Sequence, residues 1–409
     1  MANQFRAVGH TIVSSPEVAD LVIVNTCAVT GKALSDSRKV IRRAGRLGGK
    51  DIIATGCWVS LEPQNVVALP HVVKIVPNEQ KEKLVSEVLN LSEHVFDDIP
   101  IIRKPLPGRQ FRTRAFIKVQ DGCDNRCTYC VTHVARGPSH SRPIQDVIVD
   151  IKSAIDGGTK EVVLSGVHLG SWGQDSSHKK SLIDLIQAIL NKTSISRLRL
   201  SSLEPWDLDA DFFDLWKEPR MCKQIPLPLQ SGSDNILRRM ARRTTQESYA
   251  ALVDLARAVC PEIAITTDMI VGFPGESEAD FLQSVQFVKQ LGFSDGHVFS
   301  YSARPGTPAS QYAEQIDSQT KKDRSAILRN VFAKLNVRYR EINLGILHQV
   351  LWISADRISS NQWRLFGITD NYIRVETTHR SNLWNEISLV RLEEPISKGV
   401  KGMIIRERG

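Results

Sequence analysis

Strand-like apolar runs alternate with segments of helical spacing along most of the chain. Within residues 1–92 the runs LVIVNT, DIIATG and HVVKIV are separated by stretches whose apolar residues recur every three or four positions, a pattern that predicts a parallel α/β sheet. The stretch DDIPIIRKPLPGRQFRTR is rich in Pro and Arg and without periodicity, so it reads as a linker. From FIKVQ onward, EVVLSG, RLRLSS, CKQIPLPL, AITTDMIV and SDGHVFSYS are spaced by helical pattern, which predicts a βα repeat of barrel type. The run KKDRSAILRNVFAKLNVRYR follows, with Ile327, Leu328, Val331 and Leu335 at helical spacing, and reads as an amphipathic helix with a basic outer face. Beyond about residue 345 the runs become short (QVLWIS, QWRLFG, YIRVET, EISLVRL, GMIIRER) with turn residues between them, the spacing of a small antiparallel barrel. The fold class expected is therefore α/β: an N-terminal parallel α/β domain (1–95), a linker (96–112), a central partial (β/α) barrel (113–342) and a C-terminal small β barrel (343–409).

Composition sharpens this picture. A chain of 409 residues with 42% hydrophobic content can fill two or three cores. Its apolar runs fall far short of the roughly 20 residues that span a bilayer, and no charged-then-apolar leader opens it, so no membrane association and a cytoplasmic location are expected. Seven cysteines, an odd number without a secretion signal, argue for metal-binding or catalytic thiols rather than a disulfide framework. The net charge of +8 favours a polyanionic partner. Within RRMARR, a helix would stack Arg238, Arg239, Arg242 and Arg243, and phosphates would relieve their repulsion; the alternative is a solvated basic face.

The densest chemistry lies in DGCDNRCTYC, where Cys123, Cys127 and Cys130 are spaced C-x3-C-x2-C directly after the first barrel strand. Three thiolates suit a [4Fe–4S] cube with one iron left open. The rival is a Cys3His zinc site completed by His133, but C-x3-C departs from the usual C-x2-C knuckle. Cys222 and Cys260 have no partners at ligand spacing and read as core residues. Gly166 and Gly170 sit at the C-terminal end of a barrel strand, where such barrels build their sites, and predict a close backbone approach to a cofactor.

With Tyr129 before its last cysteine, the motif resembles the signature of radical S-adenosylmethionine enzymes. IKVQDGCDNRCTYC, ARG at 135–137, LSGVHLGSWG, RLRLSSLEPWDL, LPLQSGSDNILRRMARRTT, TTDMIVGFPGESEADF and FSYSARPGTPAS are similar to the methylthiotransferases over essentially the whole chain. LSGVHLGSWG and SSLEPWDL lean toward the branch that acts on threonylcarbamoyladenosine in tRNA.

The resemblance implies two [4Fe–4S] clusters. The first would be held by Cys123, Cys127 and Cys130, with S-adenosylmethionine capping its open iron. Its reductive cleavage yields a radical able to attack the adenine C2–H bond, which no acid–base side chain can activate. The second, auxiliary cluster belongs to the N-terminal domain, where Cys27 and Cys57 match two of the family's three ligands; the alternative for both is a buried thiol. The absent first ligand and the opening on a helix, MANQFRAVGH, together suggest that Met1 is an internal methionine of a longer chain. A second S-adenosylmethionine would supply the methyl group, and the sulfur would pass through the auxiliary cluster.

By position, Tyr129, Gly166, Ser202, Glu204, Gln230 and Gly272 are implied cofactor or substrate contacts, Glu204 as an acceptor for ribose hydroxyls. The C-terminal barrel corresponds to a TRAM domain, which grips RNA. Its Trp352, Trp363 and Tyr372, among arginines, suit unpaired bases, with at least half of them core. The implied partners are the anticodon loop of tRNA and unidentified electron and sulfur donors, acting on a monomer. Methylthiolation of a ribosomal protein aspartate and a non-catalytic RNA-binding role are the alternatives.

Overall fold

The computed structural model describes residues 1–48, 51–96, 113–175 and 180–407, so the expected linker lies almost wholly outside the described residues. The chain divides into two compact units. One gathers residues 1–96 with 121–140 and 302–310; the other holds 113–120, 141–301 and 311–407. The cysteine loop at 121–140 thus groups with the N-terminal domain, not with the barrel from whose first strand it emerges.

In the first unit, strands Leu21–Thr26, Asp51–Gly56 and Val72–Val76 form a parallel sheet in that order. The middle strand is buried from Ile52 to Gly56, as a central parallel strand covered on both faces must be. One face packs against Ile41 and Ala44 of the helix Gly31–Arg46, together with Trp58, Val59 and Val66. That helix starts where Thr30 Oγ1 accepts the N–H of Ala33. Phe5, Leu84 and Val85 cover the other face.

The second unit contains two three-stranded parallel sheets, 114–118/161–165/197–200 and 224–226/264–271/295–300, and the Leu198–Met221 bridge links them into one open, six-stranded barrel. Three of the outer helices begin with reciprocal capping boxes, at Ser181/Asp184, Thr245/Ser248 and Ser277/Asp280. The barrel core holds Ile117, Leu164, Leu198, Ile225, Tyr249 and Phe281. The basic helix spans Ser318–Ile342. Leu328 and Phe332 are buried on it, Val331 and Leu335 are packed beside them, but Ile327 is exposed, so the apolar stripe is offset from the one the spacing predicted.

Residues 347–407 close into a five-stranded barrel, confirming the expected architecture. One of its pairings, Arg374–His379 with Gly399–Glu407, is parallel rather than antiparallel, because the strand Ile387–Ile396 intervenes in sequence but lies outside that pair. Trp352 is fully buried in this barrel, its Nε1 donating to Ser388 Oγ at 2.9 Å, so it is core and not a platform for bases. Trp363 is half-buried under Arg357, and Tyr372 is exposed.

The two barrels of this unit are joined by a buried ionic clamp. Glu161, Arg197 and Arg114 each open a barrel strand, at the end opposite to the rim where such barrels build sites. The Glu161 carboxylate is completely buried and lies 2.8 Å from Arg199 Nε, 3.2 Å from Arg197 Nε and 3.7 Å from Arg114 Nη1. Arg199 also donates to the carbonyls of Thr369 and Asp370, and Arg197 to that of Ile368. Burial alone would raise the Glu161 carboxyl, yet Arg199 and Arg197 hold it at about 2. Burial pushes the neighbouring Cys222 thiol up to about 11, so the structural reading of that cysteine holds.

Because the Glu161 pKa is depressed below its ordinary 4.5, its contribution is complete above that pH and is lost as pH falls toward about 2. Replacing Glu161 by Ala strands two buried guanidinium groups. Urea denaturation of Glu161→Ala at neutral pH should show a loss of about 3–5 kcal/mol. Wild type alone should show an additional acid-dependent loss below about pH 4.5, whereas the variant should lack the part due to this carboxyl.

Candidate functional site

The cysteine loop is shaped by backbone constraints before any ligand is considered. Gly122 has φ +71°, and a Cβ there would lie 1.8 Å from the carbonyl oxygen of Pro138, so no other residue fits. Cys123 N–H donates to Gly137 O at 3.1 Å, and Cys130 N–H to Cys127 O at 3.1 Å, which closes a tight turn at the last two cysteines. Thr128 O accepts the N–H of Ala309 at 2.9 Å, which anchors the loop to the SARPGTPAS segment.

All three thiols are partly exposed. Cys130 Sγ accepts the Thr132 N–H at 3.4 Å and donates to Thr132 Oγ1 at 3.1 Å, which fixes the orientation of that thiol. His133 turns Nδ1 to the Cys123 carbonyl at 2.8 Å, which removes that nitrogen from a Cys3His zinc site. Among the described residues no three His, Cys, Asp or Glu side chains converge at the spacing of a single metal ion. Three partly exposed thiols on a glycine-pinned loop fit a cluster anchored at three corners. Tyr129 is half-buried on the same loop.

Cys27 and Cys57 follow adjacent parallel strands whose last residues, Thr26 and Gly56, are register partners, so the sheet delivers both cysteines to one edge. Gly56 has φ +99°, and a Cβ there would lie 2.3 Å from Thr26 O, so glycine is required for that approach. Two guanidinium groups face this pair. Arg136 donates to Asp121 Oδ1 at 2.7 Å; burial opposes its charge, but Asp121 and the Cys57 sulfur hold its pKa above the ordinary value. Arg304 is lowered by burial, against the pull of Glu62 and Cys27. Its Nη2 is buried without a hydrogen-bond partner, beside Gly31 at the start of the helix that follows Cys27. An orphaned guanidinium N–H next to a cysteine is what a sulfur-rich anionic group would satisfy, so these residues suit such a group. The short helices Cys57–Leu61 and Thr132–Arg136 pack together, so all five cysteines belong to one unit.

On the barrel unit, Gly166 follows the strand Glu161–Ser165, and a Cβ there would lie 2.9 Å from Gln120 Oε1. That oxygen accepts the N–H groups of both Val167 and His168 at 2.8 Å. Ser202 is exposed on the loop after Arg197–Leu200. Gln230 adopts φ +71° and pairs with the neighbouring strand through its backbone, donating to Asp268 O and accepting from Ile270 N–H. Gly272, at φ +69°, donates to Glu276 Oε2 at 2.7 Å, and a Cβ there would strike Lys321 at 2.3 Å. A buried turn therefore accounts for Gly272 without any ligand.

RRMARR corrects the sequence-based expectation. The helix stops at Arg239 and Ala241 takes φ +55°, so the four arginines do not stack on one face. Arg242 points inward with its side chain 1% exposed. It lies 2.6 Å from Glu204 Oε2, donates to Pro228 O at 2.7 Å and stacks 4.4 Å over Trp206. Arg242 is thus withdrawn from any phosphate, and Glu204 is engaged by a protein cation. Arg239 bonds Glu314 and lies over Tyr312, leaving Arg238 and Arg243 as the exposed members. The structure also pairs His168 Nε2 with Asp207 Oδ2 at 2.5 Å, linking two segments whose contact no local pattern signals.

A family model described as the radical SAM superfamily matches residues 117–288, and one described as uncharacterized protein family UPF0004 matches residues 1–77. A Thermotoga maritima protein named threonylcarbamoyladenosine tRNA methylthiotransferase MtaB is 33% identical over 98% of this chain and 92% of its own length. An Anaplasma marginale tRNA-2-methylthio-N(6)-dimethylallyladenosine synthase is 30% identical over 98% and 91%. The chain belongs to the radical SAM methylthiotransferases.

The fold agrees. A radical S-adenosylmethionine methyltransferase from Kitasatospora setae, TsrM, superposes with a TM-score of 0.53 at 16% identity, covering 76% of this chain and 66% of that one. The methylthiotransferase is accordingly an enzyme that uses a [4Fe–4S] cluster and S-adenosylmethionine, and the loop Cys123–Cys130 has the donor set for that cluster. No helix of the described residues is long and apolar enough to cross a membrane.

After anaerobic reconstitution, Gly122→Ala should lose most of the loop-bound iron although it removes no ligand, as Cys127→Ala should, whereas Cys222→Ala should retain wild-type iron. Iron per chain and the visible absorption of the cluster measure all three.

Proposed function

We propose that this enzyme transfers a methylthio group to C2 of N6-threonylcarbamoyladenosine beside the tRNA anticodon, with a second S-adenosylmethionine as methyl donor. The observation that carries the reading is the near-full-length likeness to proteins named for that substrate, including 33% identity to the Thermotoga maritima relative. The bound cluster and S-adenosylmethionine would supply one-electron chemistry for a C–H bond of no useful acidity. The protein's own groups do the positioning. Gln120 fixes the backbone of Val167 and His168 on the rim, next to Gly166, while Ser202 stays exposed for contact with cofactor or substrate.

Cys27 and Cys57, faced by Arg136 and Arg304, are the residues for an auxiliary [4Fe–4S] cluster and the sulfur it handles. Arg238, Arg243 and the outer face of Ser318–Ile342 contact phosphates, and Trp363 offers aromatic surface to an unpaired base of the anticodon loop. The enzyme acts in the cytoplasm as a monomer, supplied by separate electron and sulfur donors.

Mass spectrometry of tRNA nucleosides from a strain lacking the gene should show the 2-methylthio derivative of threonylcarbamoyladenosine gone and its precursor accumulated; an unchanged 2-methylthio content overturns the reading. In titrations of tRNA at several salt concentrations, Arg238→Ala and Arg243→Ala should each weaken binding and reduce the salt slope by about 1.

A further inference from the structure

The rim of the barrel carries a group of polar side chains that the cluster chemistry does not use. Ser201 and Trp206 follow the strand Arg197–Leu200, and in each a buried polar atom, Ser201 Oγ and Trp206 Nε1, has no hydrogen-bond partner. Trp206 lies under the Arg242 guanidinium at 4.4 Å, and Arg242 pairs with Glu204 at 2.6 Å. The next carboxylate, Asp207, holds His168 Nε2 at 2.5 Å and closes against Gly170, where any Cβ would lie 2.4 Å from Asp207 Oδ2. The Glu204 side chain keeps 21% of its surface exposed, so the group opens outward.

An orphaned hydroxyl and an orphaned indole N–H at the C-terminal end of a barrel strand are costly unless a ligand brings acceptors to them. The relatives this chain resembles are named for two different substituents on the same adenine nitrogen. Dimethylallyl is a hydrocarbon. Threonylcarbamoyl carries a urea carbonyl, a hydroxyl and a carboxylate, all acceptors. A dimethylallyl group placed here would leave Ser201 Oγ and Trp206 Nε1 unsatisfied and would desolvate the exposed part of Glu204 with nothing in exchange. A site built to hydrogen-bond its substrate rejects an apolar analogue far more strongly than an apolar pocket rejects a polar one.

We infer that Ser201, Trp206 and Arg242, held by Glu204 and the His168–Asp207 pair, form the subsite that selects an acceptor-rich N6 substituent on the adenine. The inference rests on the substrate reading above and assigns the discrimination to named residues. Ser201 and Trp206 are specificity residues; Glu204 positions Arg242.

The test is equilibrium binding of the reconstituted full-length enzyme to anticodon stem-loops that differ only at this base: threonylcarbamoyladenosine, dimethylallyladenosine or unmodified adenosine. Wild type should prefer the threonylcarbamoyl loop over both others. Trp206→Phe, which keeps the stacking surface and removes the N–H, and Ser201→Ala should each lower that preference about tenfold, the effect of one buried hydrogen bond. Affinity for the unmodified loop should be unchanged, which shows that the variants are folded. If wild type prefers the threonylcarbamoyl loop and both variants keep the full preference, the subsite is overturned while the substrate reading stands. If wild type itself shows no preference, the substrate reading fails and the subsite with it.

Discussion

The architecture of the larger unit depends on one buried carboxylate. Glu161 has no contact with solvent, and a charge in that position is tolerable only because Arg199 and Arg197 surround it, with Arg114 at longer range. The same two arginines also donate to the carbonyls of residues 368–370 in the C-terminal barrel. Neutralising one acid therefore ties three strand starts of the (β/α) barrel to the five-stranded barrel. The charge cluster sits at the end of the strands away from the rim, so stability and chemistry are separated along the strand axis. Tyr372, lying 4.8 Å from the Arg199 guanidinium, joins this clamp with its ring while part of its surface remains exposed.

The smaller unit follows a different principle. Parallel strands in register bring Cys27 and Cys57 to one sheet edge, and a glycine-pinned loop presents three more thiols in the same unit. Positive charge is distributed accordingly: Arg136 lies by Cys57 and Arg304 by Cys27. Arg136 is held there by Asp121 and Arg304 by the loop at 302–310, so both cysteines have a cation beside them. The polar group on the barrel rim is a third device, in which the buried Ser201 Oγ and Trp206 Nε1 are left without protein partners beside the Arg242–Glu204 pair.

Periodicity made the α/β sheet, the strand-helix repeat and the C-terminal barrel legible, because alternation and helical spacing report directly on which faces are buried. The C-x3-C-x2-C loop was legible for another reason: ligand spacing is local, and thiols in that arrangement have few other uses. A local pattern misleads where the backbone breaks it. RRMARR reads as a helical stripe only if the helix continues, and the left-handed Ala241 ends it, turning Arg242 into the interior. Trp352 looks like a base platform until barrel closure buries it, and Ile327 lies one position outside the true apolar stripe. The pairs His168–Asp207 and Arg242–Trp206 gave no signal of their partnership, since each joins segments that follow different strands.

The sequence by itself determined the elements, the three-cysteine loop and the class of chemistry, since each depends on residues within a few positions of one another. Only the tertiary structure decided which charges are spent inside the protein and which remain for a partner. Whether Glu204 faces a ribose or Arg242, and whether an arginine meets phosphate or a buried acid, turns on contacts between residues dozens of positions apart. Burial then makes those contacts obligatory, because an unpaired charge in a low-dielectric interior costs more than almost any other arrangement the chain could adopt.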